Sequence, residues 1–107
     1  MIKPAEVQDL IRLLAREEWP GLYEVIGSLN TAHPELSEAA KIDAARPVVR
    51  ALLERGHLQL GWIEWPEGRP PVMIETPEAI RLLDDPRSWQ PGERHPVVVA
   101  QPSWRAG

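Results

Sequence analysis

The spacing of the apolar residues changes at Gly56, and this change constrains the fold more than any other feature. Before Gly56, apolar residues recur every three or four positions, as they do on one face of a helix. After Gly56, residues 58–65 are rich in strand-forming side chains. The sequence therefore predicts helices followed by strands, in an α+β domain.

Three helices are predicted in the first half, over residues 4–17, 20–30 and 37–55. Ser37 is a suitable N-cap for the third helix, and Gly56 is a suitable residue to end it. Pro47 lies inside this third helix, where it removes one backbone hydrogen bond. The pattern allows one kinked helix or two helices that meet near residues 45–46, and we favour the kink.

The second half is predicted to be made of short elements, because eight of the twelve prolines lie between Pro66 and Pro102. A β-hairpin is expected over residues 58–75. A short helix capped by Thr76 and an extended strand over residues 97–100 follow it. We interpret residues 1–107 as a single domain with a core over 4–75 and a C-terminal extension over 76–107.

Three helices that lead into a hairpin follow the order of the winged helix-turn-helix superfamily. The segment 48–58, VVRALLERGHL, resembles the end of the third helix and the start of the first wing strand in that superfamily. The resemblance covers about residues 4–75. It implies a three-helix domain with a β-hairpin wing, and it implies no particular function.

The composition excludes several classes of protein. The chain has no cysteine, which excludes a disulfide framework and a thiolate metal site. No apolar run approaches the 18 residues of a membrane span, and the N-terminus lacks the pattern of a signal peptide, so we expect a cytoplasmic protein. The formal net charge of −4 disfavours nucleic acid as a partner.

No residue pattern of an enzyme is present. The histidines His33, His57 and His95 do not have the spacing of a metal-binding motif. The serines have no neighbouring base, and the glycines do not form a phosphate-binding loop. We therefore predict a non-enzymatic protein without a metal, a cofactor or a small-molecule substrate.

Aromatic residues of the hairpin provide a candidate surface for protein recognition. Strand alternation places Trp62 on one face and Ile63 and Trp65 on the other, and a small core cannot easily bury both faces. Either the segment that contains Trp89 folds back over them, or they bind a partner or a second copy of the chain. Recognition of another protein through Trp62, Ile63, Trp65 and Trp89 is our leading hypothesis.

The alternative function is that of a DNA-binding regulator, which places its third helix in the major groove and its wing beside the backbone. The candidate DNA-contacting residues are Lys41, Arg46, Arg50 and Arg69. Acidic residues of the same helix would repel phosphates. Arg46, Arg50 and Glu54 can equally form an ion-paired row that faces solvent.

Overall fold

The protein is an α+β domain of five helices and a three-stranded antiparallel sheet, described by a computed structural model over residues 1–16, 18–64 and 69–105. The helices are α1 (Pro4–Leu14), α2 (Leu22–Ala32), α3 (Glu38–Glu54), α4 (Thr76–Leu83) and α5 (Pro102–Arg105), with a 3-10 turn over Pro86–Trp89. The strands are β1 (Leu58–Glu64), β2 (Val72–Ile74) and β3 (Arg94–Ala100). Among the helices that the structure describes, none is long and apolar enough to cross a membrane.

The first two helices begin or end a few residues away from their predicted limits. The α1 helix is shorter at its end, because Ala15 is already its C-cap. The α2 helix begins at Leu22, because the two residues before it pair with β3. The Pro20 carbonyl accepts a hydrogen bond from the Val98 N–H at 2.7 Å, and Gly21 forms a bridge with Val97.

The third helix is continuous and contains Pro47, so the alternative of two helices is wrong. The Ser37 hydroxyl accepts a hydrogen bond from the Ala40 N–H at 3.1 Å, as an N-cap does. Gly56 has a φ of 74° and ends the helix. Its N–H donates to the Leu53 carbonyl, and the next N–H donates to the Leu52 carbonyl, which is the Schellman arrangement.

The sheet has the order β2-β1-β3, so β1 is the central strand. The β3 strand pairs with β1 along seven residues, from Leu58 opposite Ala100 to Glu64 opposite Arg94. The sequence predicted a shorter last strand that began at Val97 and gave it no partner. In the structure this strand converts the hairpin into a three-stranded sheet.

One face of the sheet packs against the helices and forms the core. The C-terminal extension contributes Leu83, Trp89, Val98 and Trp104 to the same buried cluster as the first three helices. The Arg12 guanidinium lies over the Trp104 ring, 4.5 Å from the centroid of that ring. The Trp104 ring also stacks with the His57 ring. The extension is therefore part of the core packing.

Candidate functional site

The structure separates the aromatic residues that the sequence grouped as one candidate surface. Trp62 and Ile63 are half-buried at the end of β1, and Trp65 lies outside the described residues. Trp89 is only 1% exposed, and its indole N–H donates to the Leu83 carbonyl at 3.0 Å. The assignment of Trp89 to an interaction surface is therefore wrong, because the 3-10 turn directs its ring into the core.

Trp62 is the centre of the surface that stays open at this end of the sheet. The guanidinium of Arg94 lies over its ring, 4.2 Å from the centroid. Glu64 pairs with Arg94 across the two strands, and the distance from the Arg94 Nε to the Glu64 Oε1 is 3.7 Å. Strand pairing therefore holds an aromatic ring and a cation together beside solvent.

Two depressions adjoin this stacked pair. One has a volume of about 230 Å³ and the other of about 350 Å³, and Trp62 and Arg94 line both. The smaller is otherwise lined by Ile63, Glu64, Arg69, Pro70 and Val72. The larger is completed by the C-terminal residues Leu82, Asp85, Arg87, Ser88 and Pro96. We call the surface formed by both linings the hairpin-end surface.

Strand β2 adds exposed apolar side chains beside this surface. Val72, which lies opposite Trp62 in the sheet, is 70% exposed, and Met73 is 43% exposed. Neighbouring residues of a strand point to opposite faces, so β2 presents apolar surface on both sides of the sheet. Val72 therefore shares a face with Trp62 and lines the smaller depression, and Met73 lies on the opposite face of the sheet.

The two outer edges of the sheet are not equally open. The segment Pro20-Gly21 covers part of the β3 edge. The β2 edge is only three residues long and follows Pro70-Pro71, and both features are known to limit the addition of another strand. The surface is therefore better suited to recognition by side chains than to backbone pairing.

Hydrogen bonds connect the ion pair of Asp85 and Arg87, which both line the larger depression. Arg87 donates to both carboxylate oxygens of Asp85, at 3.2 and 3.0 Å, and its backbone N–H donates to Oδ1 at 2.9 Å. These bonds hold the pKa of Asp85 below its ordinary value and raise the pKa of Arg87. The hydrogen bonds therefore favour the charged form of both groups.

Two of the four candidate DNA-contacting residues are not available to a duplex. Lys41 is 4% exposed, and its Nζ donates to the Asn30 Oδ1 at 2.7 Å. Its burial has a signal in the sequence, since Lys41 shares a helix face with the core residues Ala45 and Val48. The Arg46 Nε donates to the Leu83 carbonyl at 3.1 Å, so this side chain ties α3 to α4.

The other two candidates lie on different surfaces. Arg50 is exposed on α3, and its Nε is 3.7 Å from the Glu54 Oε1, as in the ion-paired row that the sequence allowed. Arg46 also pairs with Asp43, which adds a second acid to the exposed side of the helix. Arg69 lines the smaller depression at the hairpin. The four cations therefore do not form one phosphate-binding face.

We expect no specific duplex binding tighter than about 10⁻⁸ M at physiological salt, the range of established regulators. Acidic partners neutralise the exposed cations of α3, so few of them can replace counterions on DNA. An electrophoretic mobility-shift assay with random and genomic fragments measures this. A specific complex in that range would overturn the preference for a protein partner.

The histidines do not gather into a metal site in the part of the chain that the structure describes, where no group of three or more suitable side chains exists. His33 lies between two carboxylates, with its Nε2 2.6 Å from the Glu6 Oε2 and its Nδ1 3.5 Å from the Glu35 Oε1. This contact joins the start of α1 to the end of α2. His95 packs edge-on against Tyr23.

The hairpin-end surface thus brings apolar and charged groups together around two open depressions. Its role has to be inferred from its own chemistry. Comparison of the chain with known protein families, with curated protein sequences and with solved structures finds no match.

Proposed function

We propose that the protein is a non-enzymatic winged-helix module that binds another protein through its hairpin and C-terminal extension. The winged-helix assignment is supported by the order of three helices followed by the β1–β2 hairpin. The β3 strand is an addition outside the part of the chain that carries the resemblance. Both the hairpin and the extension line the hairpin-end surface, so the two would contact a partner together.

The observation that carries this proposal is the exposure of Val72 opposite the half-buried Trp62, with the exposed Met73 next to Val72 on the other face of β2. Removal of an exposed apolar side chain from water is favourable in free energy. Tryptophan and arginine are the residues most enriched among the anchors of protein interfaces, and Trp62 and Arg94 lie in contact here. A partner that covered these groups would remove their apolar surface from water.

A double substitution, Val72→Gln with Met73→Gln, tests the proposal. We expect it to abolish capture of the partner, because it removes exposed apolar area and leaves the core intact. Substitutions at exposed positions usually change stability by less than about 0.5 kcal/mol. The measurement is affinity capture from the source lysate with quantitative mass spectrometry, followed by a binding isotherm with the purified partner.

The chain offers a matched control. Leu13 is 62% exposed and Trp19 is 45% exposed, close to the 70% and 43% of the hairpin pair. Leu13→Gln with Trp19→Gln should therefore remove similar apolar area elsewhere and retain the partner. Equal capture by all three proteins, or loss in both double variants, would contradict recognition by the hairpin.

A further inference from the structure

Arg94 is held in an arrangement suited to a planar anion. Its guanidinium lies over the Trp62 ring, 4.2 Å from the centroid, and a cation–π contact of this kind leaves the guanidinium N–H groups able to donate. Among the described residues the nearest acid is Glu64, at 3.7 Å from Nε, which is too far for a hydrogen bond. The stacked cation is therefore oriented while its hydrogen-bond donors are not used within the described chain.

The groups around Arg94 restrict what kind of anion fits. The hairpin-end surface contains three arginines, Arg69, Arg87 and Arg94, against the acids Glu64 and Asp85. Arg87 pairs with Asp85, and Arg94 lies near Glu64, so each of the two acids is accompanied by an arginine. The carboxylates of Glu64 and Asp85 would repel the many phosphates of a nucleic acid. A single ligand carboxylate is repelled less, and its contact with Arg94 offsets that repulsion.

The apolar walls indicate what accompanies the anion. Val72 and Pro70 adjoin Arg94 in the smaller depression, and Leu82 and Pro96 adjoin it in the larger one. A ligand that reaches the Arg94 edge therefore passes beside aliphatic surface on either route. The volumes of about 230 and 350 Å³ are of the order of one or two side chains each.

We propose that the hairpin-end surface recognises a peptide segment in which a carboxylate side chain neighbours an apolar side chain. The carboxylate accepts hydrogen bonds from the edge of the Arg94 guanidinium, and the apolar neighbour occupies a depression beside Trp62. This inference rests on the proposed function, since it names the chemistry of the protein partner.

Selection from a phage-displayed library of random peptides tests this inference. We expect the enriched peptides to carry Asp or Glu beside a large apolar residue. A synthetic peptide from the selection should bind Arg94→Gln at least about tenfold more weakly than wild type, as loss of a charge-assisted hydrogen bond does. Isothermal titration calorimetry measures the affinities.

Arg50→Gln is the matched control. Arg50 and Glu54 form an ion pair with the same Nε to Oε1 distance of 3.7 Å and similar exposure, and the described aromatic rings do not stack on it. Its affinity for the peptide should stay within about twofold of wild type. Replacing the peptide acid by its amide should add no further loss in the Arg94→Gln background, as expected for directly paired groups.

The outcomes separate this inference from the proposed function. If the selected peptides lack an acid, or if wild type and Arg94→Gln bind with equal affinity, the inference of an acidic ligand is wrong. The protein-binding proposal still holds in that case if Val72→Gln with Met73→Gln abolishes binding. A selection that returns no peptide dependent on these positions overturns the peptide ligand, and the affinity capture described above then decides the protein-binding proposal. Arg94-dependent binding of a single-stranded oligonucleotide of about 12 nucleotides, tighter than that of any peptide, would replace the peptide by nucleic acid.

Discussion

Truncation after Asp85 is expected to leave the chain unfolded. The deletion removes β3, which pairs with the whole length of β1, and it removes the buried side chains of Trp89, Val97, Val98 and Trp104. Burial of each large apolar side chain contributes roughly 1.5–3 kcal/mol. A small domain has only about 5–15 kcal/mol of net stability, so the loss of these four side chains is comparable with the whole stability, before the lost β1–β3 hydrogen bonds are counted. Far-ultraviolet circular dichroism and the dispersion of amide proton resonances measure the outcome.

A shorter truncation, after Gln101, provides the control. It removes Trp104 and its contacts with Arg12 and His57, and it keeps the full β1–β3 pairing. This chain should fold with a lowered unfolding temperature. Cooperative thermal unfolding of the protein truncated after Asp85 would contradict the role assigned to β3.

Replacement of Trp89 by alanine should be the most damaging single substitution that we consider, with a cost of about 3–5 kcal/mol. The ring is 1% exposed and lies among the core residues of the helices. Alanine would leave a cavity there that the surrounding side chains can fill only in part. Chemical denaturation monitored by circular dichroism gives the change in the free energy of unfolding.

Trp89→Phe separates packing from hydrogen bonding. It keeps most of the aromatic volume and loses only the indole donor to the Leu83 carbonyl. That carbonyl also accepts from the Arg46 Nε at 3.1 Å, so it stays paired and the cost should be near 1 kcal/mol. Trp19→Ala, at a position 45% exposed, should cost less than Trp89→Ala. Equal costs for these two alanine variants would show that Trp89 does not anchor the core.

Local sequence patterns predicted the helices better than the pairing of the strands. The period of the apolar residues encodes which helix face is buried, and Gly56 marks a boundary through its backbone conformation. The residues of β1 that pair with β3 lie 30 to 42 positions earlier in the chain, and no local period encodes such a pairing. The predicted strand began at Val97, after Pro96, whereas β3 begins at Arg94, because an edge strand can include a proline.

The candidate surface was predicted only in part, because residue type alone does not distinguish core from interface. Tryptophan is common in both. Trp89 is buried because the 3-10 turn directs it inward, whereas Trp62 lies near the end of β1 and is half-buried. Arg94 had no motif around it. Its place over Trp62 follows from the β1–β3 register, which the sequence pattern did not contain.

The unequal pairing of β1 with its two neighbours has a consequence for local opening. Seven residues pair with β3 and only three with β2, so detachment of β2 breaks fewer hydrogen bonds, and Ile74 is the one residue of β2 that it would withdraw from the core. Amide hydrogens of Val72–Ile74 should therefore exchange with deuterium faster than those at the centre of β1. A strand held by so few hydrogen bonds can adjust to a ligand while the β1–β3 pair stays closed. Slower exchange at these three amides after addition of a peptide would then indicate that the peptide is bound.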